Sequence, residues 1–450
     1  MRSADFLCVD FGSTFTKGLL VSAEGEVLAT AEHRTTLDTD VMDGFDAVRD
    51  CLGAEDAQVL ACSSAGGGLR ILVIGQEELV TAEAGRRVAL SSGGAVAGVL
   101  SRPYDAQQLA AALDQARPDL VLLTGGTDGG NEEPLLSAAR DLAQASWRGP
   151  VVIAGNASAS ERAAGLLADF PVEVADNVLP QIGVLAPDSA RTAVRELFLQ
   201  HVIGGKHLSR RPEFLHNVVG ATPEVVLRGV EVLAQAAQFE TGVVVVDVGG
   251  ATTDVHSVLK LDAETGDLGR EVVAITPVTR TVEADLGMRW SARSTADAAF
   301  DAGLGDLRRA ADRRTADPAW LPATDDELAD ERALAAAAVV LGVRRHAGRS
   351  RVVLSPEGRV VERTGKDLRE VDLLIGSGGV FRHGETEVSR EVLATATGQT
   401  SQGWQQPDAP ALAIDEQHVL AAIGLLADEY ADVAAELALH WLQQSAGTRA

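Results

Sequence analysis

Two stretches of the chain repeat one pattern of residues that suits phosphate and metal binding. Residues 6–22 read FLCVDFGSTFTKGLLVS, and residues 243–259 read VVVVDVGGATTDVHSVL. Each has an apolar run, an aspartate, a turn of small residues and a second apolar run, which is typical of a β-hairpin. When Asp10 is aligned with Asp247, the residues that follow also correspond: Gly12 with Gly249, Ser13 with Gly250, and Thr16 with Thr253.

The residue types explain what such a turn could bind. Glycine permits close backbone approach to a ligand, and successive N–H groups in a tight turn form an anion-binding concavity. An aspartate repels phosphate unless a cation lies between them, and Mg²⁺ usually takes one or two carboxylates with phosphate oxygens and waters. We therefore predict Asp10 and Asp247 as metal ligands. The predicted phosphate-binding residues are Gly12, Ser13, Thr14, Thr16, Lys17, Gly249, Gly250, Thr252 and Thr253.

A third glycine cluster follows another apolar run. Residues 371–381 read VDLLIGSGGVF, with Gly376, Gly378 and Gly379 after the predicted strand. A flat purine or ribose can lie against such bare backbone. The two repeated stretches have an alternative interpretation as ordinary hairpins with glycine turns that bind no ligand. Lys17 could likewise be a solvated hairpin lysine without a role in binding.

In this order, the two hairpins and the glycine loop resemble the actin, sugar-kinase and heat-shock-70 ATPase superfamily. The resemblance makes Asp10 to Lys17 the first phosphate loop, Asp247 to Asp254 the second, and Gly376 to Val380 the adenosine loop. It implies a two-lobe actin-like α/β fold of the ribonuclease-H-like type, with ATP and Mg²⁺ as ligands.

Further motifs narrow the resemblance to the glutamate-mutase-associated family called GlmL or MutL, which is distinct from the mismatch-repair protein of similar name. They are CSSAGGGLRILVIG (62–75), LVTAEAGRR (79–87), LLTGGTDGGNEE (122–133), ADNVLPQIGVL (175–185), VGATPEVVLRGVEVLA (219–234) and RTVEADLGMR (280–289). The family resemblance implies an ATP-using accessory or reactivating protein for an adenosylcobalamin-dependent mutase of the glutamate mutase or aminomutase type. Its partners would be the mutase subunits.

Three acidic residues are candidates for catalysis of ATP hydrolysis. Asp10 and Asp247 hold the metal or orient the attacking water, and Glu283 is a further candidate for the general base or for nucleotide contact. A general base must reach the water, and sequence spacing does not supply that geometry. We predict a weak Mg²⁺-dependent ATPase. A small-molecule kinase on the same fold and a non-hydrolysing, nucleotide-dependent scaffold remain as alternatives.

The predicted pattern of strands and helices that positions these residues changes along the chain. Residues 1–76 read as the first lobe. Residues 77–187 alternate strands and helices, which indicates an inserted subdomain of parallel βαβ units, and we predict that this insert recognises the partner. Residues 188–450 read as the second lobe, with the adenosine loop and closing helices.

Two short segments have open interpretations. The turn Gly125–Gly130 follows a predicted strand of the insert, where it is either a tight turn or a contact for a partner or cofactor. Residues 415–442 form one long helical pattern, and small residues there would let another helix cross closely, although ordinary core packing explains them equally well. These residues are Ala421, Ala422 and Gly424.

Composition limits the possible partners and the compartment. The formal net charge of −26 argues against nucleic-acid and anionic-membrane partners, because both need basic patches. The three scattered cysteines, Cys8, Cys51 and Cys62, indicate neither a disulfide framework nor a zinc site. The N-terminus has no pattern of a signal peptide, and no apolar run is long enough to span a bilayer. We therefore expect a cytoplasmic protein.

Overall fold

Each predicted hairpin lies in a five-stranded sheet. In the computed structural model, the described residues are 5–260, 276–355, 358–382, 384–400 and 402–446. The first sheet contains β1 (Phe6–Phe11), β2 (Phe15–Val21), β3 (Val27–Arg34), β4 (Gln58–Ser63) and β10 (Val218–Ala221). The second contains β11 (Gly242–Val248), β12 (Thr253–Leu259), β13 (Val278–Glu283), β16 (Leu373–Ser377) and β17 (Ala411–Ile414).

The two sheets have the same topology. The strand orders are β10-β4-β1-β2-β3 and β13-β12-β11-β16-β17, which both become 3-2-1-4-5 when the strands of each sheet are numbered along the chain. In both, the first three strands are antiparallel neighbours and the last two run parallel to the first strand. This duplicated arrangement is ribonuclease-H-like, and it confirms the predicted two-lobe actin-like fold class.

Contacts divide the chain into two compact units. The first runs to Gly229 and takes in Ala421–Ala434, and the second includes most of Val230–Leu420 and the chain from Ala435. The first sheet belongs to the first unit and the second sheet to the second unit. The lobe boundaries predicted at residues 76 and 187 remain predictions.

A third sheet is inserted between β4 and β10 of the first sheet. Its order is β6-β5-β7-β8-β9, and all its strands are parallel. This is the α/β insert predicted from the alternating pattern, although its strand β5, which lies between β6 and β7, precedes residue 77. The strands are β5 (Leu69–Gly75), β6 (Gly94–Ser101), β7 (Leu120–Leu123), β8 (Val151–Ile153) and β9 (Val172–Val174). The helices are α2 (Thr81–Ser91), α3 (Ala106–Ala116), α4 (Glu133–Gln144), α5 (Ala157–Leu166) and α6 (Asp188–Leu197).

The remaining elements connect and cover the sheets. In the first unit α1 (Val41–Leu52) follows β3, and a π-helical segment Phe198–Val202 precedes two short helices. In the second unit α12 (Asp325–His346) begins with a capping box between Thr324 and Glu327, which satisfies two backbone N–H groups at its first turn. The other elements are α7 (Ile203–Gly205), α8 (Pro212–Asn217), α9 (Thr222–Ala236), α10 (Ala292–Asp301), α11 (Arg308–Ala316), β14 (Arg349–Ser355), β15 (Gly358–Thr364), α13 (Gly379–Arg382), α14 (Thr386–Ala394), α15 (Val419–Leu426) and α16 (Ala431–Ala446).

Valine, leucine and alanine fill the cores, as the low aromatic content requires. One cluster joins the first sheet to the insert and includes Leu7, Val9, Ile71 and Leu122. In the second unit, Val244, Val246 and Val255 pack with the buried face of α12. The β-branched valines of β11 favour the extended backbone and bury both faces of that strand.

The C-terminal pattern forms two helices rather than one. Helix α15 ends at Leu426, α16 begins at Ala431, and Asp428 between them pairs with Arg195 and Arg228. Of the two interpretations of the small residues, a close helix crossing fits Gly424, because a Cβ atom there would lie 1.9 Å from the carbonyl oxygen of Val225 in α9.

Within the described ranges, we find no helix with the length and apolar character that crossing a membrane requires. The cysteines Cys8, Cys51 and Cys62 are all free.

Candidate functional site

The first hairpin has a turn that only a small residue permits. Strands β1 and β2 pair so that Asp10 lies opposite Lys17. The backbone N–H of Gly12 donates to the carbonyl oxygen of Phe15 at 3.1 Å. A Cβ atom on Gly12 would lie 2.6 Å from that oxygen, so a side chain there would displace the turn. Glycine at this position is therefore required by the turn itself.

The carboxylate of Asp10 is buried and held by three side chains. Asp10 is 6% exposed. The Thr222 hydroxyl donates to Oδ1 at 2.6 Å, the Cys62 thiol lies 3.7 Å from the same oxygen, and Lys17 Nζ lies 3.4 Å from Oδ2. Burial, together with the neighbouring Asp10 carboxylate, raises the pKa of the Cys62 thiol, so it stays protonated beside the anion. Sequence reasoning missed Thr222, which begins α9 within the family motif VGATPE.

The tip of the first turn presents donors to the surface. Ser13 and Thr14 are exposed, and no acceptor among the described residues contacts their backbone N–H groups. Thr16 differs from the prediction, because it is fully buried and its hydroxyl lies 3.3 Å from that of Thr35. Thr35 in turn donates to the carbonyl of Gly12 at 2.8 Å. Thr16 therefore supports the turn from inside, while Ser13 and Thr14 are placed to meet an anion.

The second hairpin repeats this backbone geometry. Asp247 lies opposite Asp254, and the N–H of Gly249 donates to the carbonyl of Thr252 at 2.9 Å. In the described part of the chain, the N–H groups of Gly250 and Ala251 likewise have no acceptor. The hydroxyl of the buried Thr253 has no partner among the described side and main chains. The predicted correspondence of the two turns thus extends from sequence to hydrogen bonding.

The charge beside the second aspartate is balanced differently. Asp254 occupies the place of Lys17, and Arg280 from β13 donates to its Oδ1 through Nε at 2.9 Å and Nη2 at 2.6 Å. The Arg280 side chain is only 4% exposed. Since a buried charge needs a partner, the buried Arg280 pairs with Asp254, which lies opposite Asp247 in the sheet. Sequence spacing did not identify Arg280.

The predicted adenosine loop packs directly against Asp247. Gly376 pairs with Val246 in the sheet, and Ser377 pairs with Asp247. Gly378 has φ +100°, and a Cβ atom there would lie 2.6 Å from Asp247 Oδ1. Gly379, by contrast, faces open space. Glycine is thus required at position 378 by its positive φ and by close contact with the Val248 carbonyl and Asp247. Gly379 leaves room for a ligand.

A backbone segment from the family motif EADLGMR braces the second turn. Met288 N–H donates to the carbonyl of Gly249 at 3.0 Å, and Arg289 N–H donates to that of Gly250 at 2.8 Å. Gly287 lies so close to the turn that a Cβ atom would approach Gly250 O to 2.7 Å. These bonds hold the carbonyls on one side, so the unbonded N–H groups of the turn stay oriented.

Known proteins resemble this chain in sequence over most of its length. The family description "MutL protein" matches residues 6–442. The chain belongs to the MutL protein family. A curated relative, Protein MutL from Clostridium tetanomorphum, is 34% identical over 461 residues, which cover 97% of this chain and 99% of the relative. The family resemblance inferred from the motifs is therefore confirmed.

Solved structures show weaker likeness to this MutL-family chain. Acetone carboxylase in its nucleotide-free form is 16% identical with a TM-score of 0.39, and the match covers 95% of this chain and 70% of that one. A ROK family glucokinase from Streptomyces griseus, solved with glucose and AMPPNP, is 12% identical with a TM-score of 0.32, covering 98% and 100%. At such TM-scores the likeness carries no argument, and the fold assignment rests on the strand order.

Glu283 belongs to the family motif RTVEADLGMR (280–289), and it lies apart from the two aspartates of the second hairpin. In β13, Glu283 pairs with Thr253, whereas Asp247 pairs with Asp254. Since neighbouring residues of a strand point to opposite faces, Glu283 lies on the face covered by α12. There Arg345 donates to it at 2.8 Å, while burial raises the pKa of the Glu283 carboxyl. This placement favours a structural ion pair over contact with the turn.

The turn Gly125–Gly130 is tied into the insert by its own side chains. Asp128 Oδ1 accepts from the N–H of Ala157 at the start of α5 and from Asn177 Nδ2, both at 2.9 Å. The buried Asn156 caps α5 through Ser158 N–H at 2.9 Å. Asp128 therefore stabilises the loops at the carboxyl end of the parallel strands, as an acidic residue at a helix N-terminus does.

Proposed function

We propose that this MutL-family chain binds ATP with Mg²⁺ through its two hairpin turns and hydrolyses it slowly. The observation that supports this most is the repeated turn itself. Each has a glycine whose replacement would crowd a backbone carbonyl of the turn, N–H groups without acceptors among the described residues, and an aspartate near the end of the preceding strand. Such backbone concavities bind phosphate oxygens.

The residues present fit a magnesium ion that arrives with phosphates. The described residues do not group three or more His, Cys, Asp or Glu side chains around one point. Asp10 and Asp247 are single carboxylates, and Mg²⁺ usually needs only one or two in addition to phosphate oxygens and waters. When bound, the ion would neutralise phosphate charge. Asp10 and Asp247 would hold it, with Asp247 alternatively orienting the attacking water.

The other residues of each turn would position phosphates and nucleoside. Ser13, Thr14 and Gly250 offer N–H groups, and Lys17 offers a cation near Asp10. Open space at Gly379 suits the adenosine. The brace at Met288 and Arg289 prevents the second turn from reorganising, and fixed donors stabilise charge in a transition state better than mobile ones.

We further propose that ATP turnover serves an adenosylcobalamin-dependent mutase of the glutamate mutase or aminomutase type, for which the chain is an accessory or reactivating protein. Membership of the MutL family supports this role. A nucleotide can act on a partner only by binding two conformations of this chain with different affinity. The mutase should therefore be sensitive to whether ATP or ADP is bound.

Calorimetric titration tests the nucleotide site. We expect ATP to bind in the presence of Mg²⁺, to bind weakly without it, and GTP to bind less well than ATP. Equal binding of GTP, or no binding of either, contradicts the site. Release of inorganic phosphate without any other phosphorylated product would support an ATPase over a small-molecule kinase, and tight binding without turnover would indicate a nucleotide-dependent scaffold.

A further inference from the structure

The three most exposed large apolar residues of the insert lie at one edge of its sheet. Leu79, Ile182 and Val184 are 74%, 65% and 46% exposed. Leu79 lies in the loop after β5, and the other two lie in the loop after β9. Because all five strands are parallel, both loops leave the same, carboxyl edge. Exposed single apolar residues are common, but a group on one edge indicates a contact surface.

Hydrogen bonds join these loops into one surface. The hydroxyl of Thr124, which follows β7, donates to the carbonyl of Thr81 at the end of the first loop at 2.9 Å. Asp128 N–H donates to the carbonyl of Pro180 at 3.0 Å, and Asn177 Nδ2 donates to the carbonyl of Gly126 at 3.0 Å. The loop after β7 thus lies between the other two and is bonded to both. A surface held in this way loses little entropy when it binds a partner.

Among the loops at this edge, these three carry charge of one sign, whereas the loop after β6 carries Arg102, which pairs with Asp141 of α4. The loops 76–80, 124–132 and 175–187 contain no Lys, Arg or His, and their acidic residues are Glu77, Glu78, Asp128, Glu132 and Asp176. Glu132 pairs with Arg162 of α5, and Glu77, Glu78, Asp128 and Asp176 are exposed. An acidic rim around apolar residues repels nucleic acid and anionic membranes, and it attracts a protein with a basic border.

We propose that the surface formed by these three loops at the carboxyl edge of the insert is where the mutase docks, through an apolar patch bordered by basic residues. This inference rests on the proposed function for the identity of the partner, and it adds the surface and its chemistry. It also gives the turn Gly125–Gly130 a role, since that turn links the loops carrying the apolar residues.

Binding of purified glutamate mutase subunits to the full chain, with ATP and Mg²⁺ present, tests the surface. We expect Leu79→Ser/Ile182→Ser to weaken the complex by about tenfold or more, because truncating central apolar contacts commonly has such effects. Glu77→Lys/Glu78→Lys should weaken it as well, and added salt should weaken the wild-type complex. Leu166→Ser is the matched control, because Leu166 is 40% exposed and ends α5 at the opposite edge.

The outcomes separate the two proposals. ATP binding and phosphate release should be unchanged in every variant, since none of these residues belongs to the hairpin turns. If wild-type chain binds the mutase and Leu79→Ser/Ile182→Ser binds equally well, the surface is wrong and the proposed function stands. If wild-type chain forms no complex with the mutase, the proposed partner is wrong, and this assignment of the surface fails with it.

Discussion

The two hairpin turns share a backbone and differ in the charge that faces the aspartate. In the first, Asp10 lies opposite Lys17, 3.4 Å from its ammonium nitrogen. In the second, Asp247 lies opposite Asp254, whose charge is balanced by the buried Arg280 on the next strand. The same turn geometry thus occurs in two electrostatic settings.

This difference in charge indicates that the two turns have different roles. The first combines a carboxylate with a partly exposed lysine, which suits contact with both metal and phosphate. The second places two carboxylates opposite each other in the sheet and balances the charge of one with an arginine that is 4% exposed. Backbone donors are common to both turns, whereas the charged groups are specific to each. Substitutions should therefore affect the two turns differently.

The largest effect should come from the aspartates. We expect Asp10→Ala and Asp247→Ala each to lower ATP turnover by roughly 100-fold or more, because each removes a proposed metal ligand. Phosphate release by the purified variants is the measurement, and Asp56→Ala, which changes an exposed carboxylate, is the control. If both variants fold and hydrolyse ATP normally, the hairpins are only structural. If one alone is inactive, the turns are not equivalent.

The cations beside the two turns should separate stability from binding. Arg280→Met leaves Asp254 without its charged partner and should lower the free energy of unfolding by about 3 kcal/mol. Lys17→Met removes a longer, more exposed pair and should change it by less than about 1 kcal/mol, while weakening ATP binding. Denaturant unfolding and calorimetry of both variants make the comparison. Equal loss of stability would show that the two cations have the same role.

Two glycines directly after β16, Gly378 and Gly379, differ in how closely they pack against the second turn. Gly378→Ala should cost about 2 kcal/mol of unfolding free energy, from its positive φ and from contact with Asp247 and Val248. Gly379→Ala adds a Cβ atom to open space and should leave stability nearly unchanged. Thermal unfolding of both proteins measures the difference. A similar midpoint for both would mean that the loop adjusts freely and does not hold Asp247.

The smallest effect near neutral pH concerns a histidine behind the second turn. His256 lies where the first hairpin has Leu19. Burial and, to a smaller extent, the charge of Arg280 lower its pKa to about 3, against the opposing effect of Asp254. Because the folded pKa is below the unfolded value of about 6.5, stability is full above that pH and falls as the pH drops towards 3. The slope is at most about 1.4 kcal/mol per pH unit for one proton.

Replacing His256→Leu copies the first hairpin and should reduce this acid dependence. It also removes a buried Nδ1 that has no partner among the described residues, so stability at neutral pH should not fall. Urea unfolding at several pH values between about 4 and 7 measures the slope. Part of the acid dependence should remain in this variant, because burial also lowers the pKa of His346. An unchanged slope would mean that His256 is protonated in the folded protein.

The sequence by itself determined the local parts of this protein. The repeat of aspartate, glycine and threonine predicted two equivalent turns, because a tight turn depends on a few neighbouring residues and on the conformations that glycine allows. Alternating strands and helices predicted the parallel insert, and the valine-rich runs predicted the buried central strands. Several short sequence motifs identified the MutL family.

Only the tertiary structure decided which distant residues meet at each turn. Thr222 reaches Asp10 across 212 positions of sequence, Arg280 reaches Asp254 from a neighbouring strand, and Gly378 packs on Asp247. Glu283, close in sequence to Arg280, lies on the other face of the same sheet, because strand residues alternate between faces. Such contacts follow from strand order and register, which are set by packing across the whole sheet and not by the residues of one segment.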